Sequence, residues 1–141
     1  MGSIDGLSEA GLLHGWAYDA DVSGGTDVEM YLDGKRGAGG THLGTVKANL
    51  PRLDFSTEWL ARDRIPSNAI GFTFQVDKTK VAGGSHEVRG FMKDVNATNG
   101  EIRYLELTGS RVFYTPIVYA LRFAEDPYIV PQGRWVTQTV S

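Results

Sequence analysis

The side chains with chemistry to offer fall into three groups: acids crowded near the start of the chain, three scattered histidines, and a set of aromatics. Asp19, Asp21 and Asp27 surround one connection, D-A-D-V-S-G-G-T-D. Hard carboxylate oxygens around a glycine-bearing loop are what a calcium ion takes, so these three are the candidate ligands of a structural calcium. They do not spell an EF-hand, because its Asp/Asn repeat and closing Glu are missing. The plainer alternative is an acidic turn whose side chains cap local backbone.

The histidines offer less. His14, His42 and His86 lie in separate stretches, with no pair at zinc-binding spacing and no H-E-x-x-H. The serines lack a G-x-S-x-G elbow. Cysteine is absent, which removes disulfides, thiolate metal sites and thiol nucleophiles. G-A-G-G-T-H and G-G-S-H are rich in glycine, but neither has the Lys-Ser/Thr of a phosphate loop or opens a helix. Two acids across a cleft could hydrolyse a glycoside; a small β-fold offers little cleft, and the acids read as surface charge. The expectation is a protein that is not an enzyme.

The aromatics are the remaining lead. A flat ring can stack on the apolar face of a sugar while planar polar groups take its hydroxyls. Trp59, with Arg62 close by in sequence, and Tyr128 and Trp135 near the C-terminus are the candidate ligand-binding residues. Tyr31 and Phe91 point outward by alternation. The alternative for Trp59 is a plug at the open end of the fold, and Trp16 reads as a core tryptophan between two sheets.

The elements that must position these residues have period two. In T-D-V-E-M-Y-L-D, Val28, Met30 and Leu32 face one way and Asp27, Glu29, Tyr31 and Asp33 the other, which is a half-buried strand. Asp33-Gly34 is a hairpin signal. Residues 43–50 are the partner strand, with Val46, Ala48 and Leu50 inward, and the glycine-rich stretch before it reads as a protruding loop. Residues 70–76 and 85–93 alternate in the same way, Asn99-Gly100 turns into a strand over 102–107, and residues 12–18 make the first strand. Ser56 can cap a short helix over 56–64. The pattern predicts an all-β, antiparallel sandwich of seven to nine strands with one short crossover helix.

The 141 residues suit one domain. No apolar run approaches the roughly 18 residues of a membrane helix. The net charge of −3 divides unevenly: residues 1–34 hold seven acids and no Lys or Arg, leaving +4 (14 basic minus 10 acidic) for the rest. An acidic quarter of that kind repels phosphate, so nucleic acid is not an expected partner.

Five motifs in order, G-W-A-Y-D at 15–19, V-E-M-Y-L-D-G-K at 28–35, L-G-T-V-K-A-N-L-P-R-L-D at 43–54, G-F-T-F at 71–74 and G-S-H-E-V-R-G-F at 84–91, resemble a bacterial immunoglobulin-like β-sandwich module, the kind appended to secreted hydrolases and cell-surface proteins. The resemblance covers residues 4 to about 112. It implies a secreted or surface location as part of a longer chain, and either a carbohydrate-binding role toward a polysaccharide or a structural, adhesive role toward a protein. The matched residues themselves read as structural: Arg52 and Asp54 pair, and His86 is a hydrogen-bonded histidine. Residues 1–114 form the module. Residues 115–141 fall outside the resemblance and are expected to add a hairpin that packs on the sandwich, pairs with a partner or joins copies into a homo-oligomer.

Overall fold

A computed structural model of the chain describes residues 1–117 apart from Ser23, Asp63, Arg64 and Pro66. Alternation builds two antiparallel sheets from these residues. The first runs in the order β1 (Gly2–Leu7), β2 (Leu12–Ala17), β6 (Ala69–Gln75), β5 (Leu50–Pro51). The second runs β4 (Thr41–Ala48), β3 (Thr26–Leu32), β7 (Gly84–Val95), β8 (Ile102–Glu106), and β9 (Arg111–Thr115) also pairs with β7. One α-helix, α1 (Thr57–Arg62), lies between β5 and β6. The fold is the all-β sandwich that the period-two pattern predicts. Among the described residues, no helix is long and apolar enough to cross a membrane.

The inward faces meet in one core. Leu13 of β2, Val28 and Met30 of β3, and Val88 and Met92 of β7 have no exposure at all, and Ile4 and Phe72 nearly none. Burying side chains of this size stabilises by about 1.5–3 kcal/mol each. Strands β8 and β9 read as one strand interrupted by a four-residue detour. Leu107 drops into the core while its N–H donates to Gly90 O at 2.8 Å. Thr108 then reaches the other sheet: Ile4 N–H donates to Thr108 O at 2.8 Å, and Thr108 N–H to Gly2 O at 3.3 Å. Gly109 makes the return with φ of 83°, where a Cβ would collide with the Ile4 carbonyl. The two sheets are thereby joined along this edge.

Four expectations need correction. Trp16 is not between the sheets. Leu13, Gly15 and Ala17 take the inward positions of β2, and Trp16 stands half-buried on the outer face of the first sheet. A strand precedes residues 12–18: β1 pairs Ser3 with Trp16 and Ile4 with Gly15, with a bulge at Asp5. Leu50 does not continue β4; it crosses to the first sheet, pairs with Gly71 and is exposed. The loop after Asp33 does not protrude freely. Arg36 folds back so that its Nε donates to Glu29 Oε1 at 2.8 Å and its guanidinium lies 3.5 Å from the Tyr104 ring centre.

The turn at Asp33, the one non-glycine described residue with positive φ (57°), is riveted to β7. Asp33 N–H donates to Glu87 O, and Glu87 N–H donates to Asp33 Oδ1. His86 Nδ1 lies 2.6 Å from Asp33 Oδ2, and Nε2 lies 2.6 Å from Ala82 O. Both ring nitrogens face acceptors, so only the doubly protonated imidazolium can donate to both. Asp33 foremost, then the Ala82 carbonyl, raises the His86 pKa above its ordinary 6.5, and His86 in turn lowers that of Asp33 below 3.8. A raised folded-state pKa contributes stability that is complete below the unfolded value and lost as pH rises through the folded one. The carboxylate's share is present above 3.8 and lost on acidification. The contribution of this pair to the thermal midpoint is therefore expected to be flat between about pH 4 and 6.5 and to fall above that. In His86→Gln the fall above 6.5 disappears, which a melting series from pH 5 to 9 measures.

Candidate functional site

The outer face of the first sheet carries the richest surface. Alternation turns Leu12, His14 and Trp16 of β2 outward, opposite Gln75, Thr73 and Gly71 of β6. Gly71 leaves a gap in this surface, and Arg52 fills it: a Cβ on Gly71 would sit 3.0 Å from the Arg52 Cγ and Cδ. From there the guanidinium crosses the face. Nε and Nη2 donate to the two oxygens of Asp54 at 2.8 and 2.6 Å, and Nη1 donates to Asp5 Oδ2 at 3.0 Å, on the β1 bulge. The expected Arg52–Asp54 pair is bidentate, with a second acid the sequence does not reveal. The hydrogen bond from Arg52 holds the Asp54 carboxyl below the usual carboxylate range. Three of the five guanidinium N–H groups are engaged, so two can still donate.

The short helix follows directly. Ser56 Oγ accepts from Trp59 N–H at 3.1 Å, which is an N-cap bond. Six residues are too few to hold a helix by propensity. Its anchor is aromatic. Phe55 and Trp59 lie 4.6 Å apart, and both meet the Trp16 ring edge-on, at 5.3 and 5.8 Å. Tyr18 stacks beside Trp16 at 6.2 Å and 13°. Arg52 caps the group, its guanidinium 4.7 Å from the Phe55 ring centre. Trp59 is a lid over Trp16, not a plug in the open end of the sandwich. Arg62 is exposed in the last turn of α1.

Two shallow hollows open on this face. One of about 340 Å³ is lined by Asp54, Phe55, Ser56 and Trp59. The other, about 220 Å³, is floored by Gly71 and walled by His14, Leu50, Arg52, Asp54 and Thr73. Asp54 belongs to both, so they form one run: aromatic at one end, with an ionised carboxylate and a guanidinium in the middle and an imidazole at the other end. Leu53, 87% exposed, stands beside it in sequence. Such a surface can stack a flat apolar face and hydrogen-bond neighbouring hydroxyls through planar groups.

Trp59 is thus on this face, Arg62 lines neither hollow, and Tyr128 and Trp135 lie outside the described residues. Tyr31 and Phe91 form a separate pair on the outer face of the second sheet, edge-on at 5.6 Å, with Phe91 buried. The acidic trio is divided. Asp19 is buried, its carboxylate accepting Val95 N–H at 2.7 Å and Asp21 N–H at 3.0 Å. Asp21 accepts Ala97 N–H at 3.2 Å. Both acids therefore brace the turn between β7 and β8. Asp27 sits in β3 and pairs with Lys47 at 3.0 Å. No group of three metal-ligating side chains gathers among the described residues.

Sequence reasoning missed Trp16, His14, Thr73 and Asp5 as members of this face. The signal was available in Gly71, a glycine directly across from Trp16 on the neighbouring strand. Compared with protein-family models, curated proteins and solved structures, the chain finds no match in any of the three.

Proposed function

We propose that the chain is a non-catalytic carbohydrate-binding module, part of a secreted or surface bacterial protein, and that it binds polysaccharide on the outer face of the first sheet. The observation that carries the reading is the run from Trp59 and Phe55 through Asp54 and Arg52 to His14, where aromatic rings at one end adjoin planar polar groups along two joined hollows. Binding in such shallow hollows is weak per site and follows ring stacking more than enclosure. Asp54 and Arg52 are already paired to each other, so they offer hydrogen bonds without the need to order a mobile side chain first.

Affinity electrophoresis against a polysaccharide panel tests this. At least one glycan is expected to retard the protein. In Trp59→Ala that retardation weakens tenfold or more, a loss of about 1.4 kcal/mol or greater. In Tyr31→Ala, on the opposite sheet, it does not change. A chain that no glycan retards, or one retarded equally well without Trp59, would sink the reading.

A further inference from the structure

Sheet edges are open templates for pairing, and soluble proteins block them with proline, bulges or outward charge. The edges of this sandwich can be compared one by one. On β1 the bulge at Asp5 breaks the register. On β5 the second residue is Pro51. On β4 the outer face carries Lys47, and the register slips opposite Met30 and Tyr31. On β8 the outer face carries Glu106. None of these devices occurs on β9. Its outward residues are Val112 and Tyr114, 66% and 60% exposed, and among the described residues it pairs with β7 alone.

The hydrogen-bond phase of β9 follows from its neighbour. In an antiparallel sheet the N–H and C=O of one residue point to the same side. Glu87 gives both to Asp33, on the side away from β9. The Glu87–Val112 pair is therefore a non-bonded one, and the ladder to β7 uses Arg111, Phe113 and Thr115. The backbone groups of Val112 and Tyr114 point outward to the open edge. Neither residue is a donor or acceptor in any other contact among the described residues. Strand β1 approaches β9 without pairing with it, and Arg111 Nη2, at the start of β9, donates to Asp5 O at 2.8 Å.

We propose that β9 is a self-association edge, on which a second copy of this chain adds its own β9 antiparallel about a two-fold axis through Phe113. That register sets Val112 of each copy opposite Tyr114 of the other. These are the residues whose backbone groups are free, so each such pair forms two ladder bonds. The same register places an aromatic across from a β-branched side chain on the exposed face, a favourable cross-strand pair. An interface of this kind is isologous and closes at two copies. It lies on the opposite sheet from the glycan face, so a dimer presents two such faces, and the proposal stands or falls independently of sugar binding.

Sedimentation of the complete chain between about 1 μM and 1 mM, the range in which a contact this small would be half-populated, is the test. A monomer–dimer equilibrium is expected. Val112→Lys and Tyr114→Lys each place a charge on the edge and shift the equilibrium at least tenfold toward monomer. Val112→Pro removes an N–H that β7 does not use, and has the same effect. Unchanged thermal midpoints at the dilute end certify that the variants fold. A chain that stays monomeric through the range overturns the proposal. So does a dimer that persists in both lysine variants, whether held by residues 118–141 or by another face.

Discussion

Alanine at Trp16 is expected to destabilise the protein by about 3 kcal/mol and to remove the proposed glycan binding altogether. The size of the effect follows from what rests on the ring. Phe55 and Trp59 both contact it edge-on, and Tyr18 stacks beside it. Each aromatic pair contributes about 0.5–1.5 kcal/mol beyond its buried area. Helix α1 has six residues and depends on this anchor for its position. With Trp16 gone, the Phe55–Trp59 contact has no floor, and Asp54 and Arg52 lose the geometry set by the neighbouring turn. Trp59→Ala removes only the lid, so it lowers affinity at a smaller stability loss. Chemical denaturation of both variants, beside electrophoresis on the same samples, separates the two roles. A Trp16→Ala protein that keeps wild-type stability would show that the cluster is a bystander.

How much of this was legible depended on which side-chain sizes marked the inside. Where the inward residues are large, as Val28 and Met30 in β3 or Ile70 and Phe72 in β6, the alternation predicts both the strand and its facing. In β2 the inward residues beyond Leu13 are Gly15 and Ala17, and the large one, Trp16, is outside. Size then points the wrong way, because the outer face is itself covered by a helix whose position no local pattern reveals. Strand β1 was hidden for a related reason: G-S-I-D-G-L offers Ile4 as its one buried residue, and the bulge at Asp5 breaks the period.

Local pairings were readable where their partners lie close in sequence. Arg52 with Asp54 and Ser56 over Trp59 have a nearby partner that chemistry alone can name. Asp5 with Arg52, 47 residues apart, and His86 with Asp33, 53 apart, need the sheets to exist first. The partners of the acidic trio depend on the sheets in the same way. Closeness in sequence put Asp19, Asp21 and Asp27 together, but Asp27 is in a strand, where its facing is set by alternation with Val28 and its partner is Lys47 on the adjacent strand.

Gly15→Val is expected to be the most damaging single substitution in the first sheet. Gly15 is buried at the centre of β2, paired with Ile4 on one side and Phe72 on the other. A Cβ there would overlap the Ser3 carbonyl oxygen and come within 2.8 Å of the Phe72 ring and 3.0 Å of the Ile4 Cα. Two of those obstacles are backbone, so rotamer changes cannot clear them. The strand pair β1–β2 must separate or Phe72 must leave the core, and overpacking of this kind usually destabilises by about 1–3 kcal/mol, with more when backbone has to move. Phe72 is among the largest side chains of the core, and its full removal would destabilise by about 3–5 kcal/mol, which sets the upper end of the expected range. Gly15→Ala meets the same atoms with one carbon and is expected to fall between. A denaturation series over glycine, alanine and valine at this position should therefore step downward twice. The same steps should appear in glycan affinity only once the fold fails, because residue 15 faces inward and the ring beside it, Trp16, carries the outer face. A Gly15→Val protein as stable as wild type would mean that β1 does not pair with β2 in this register.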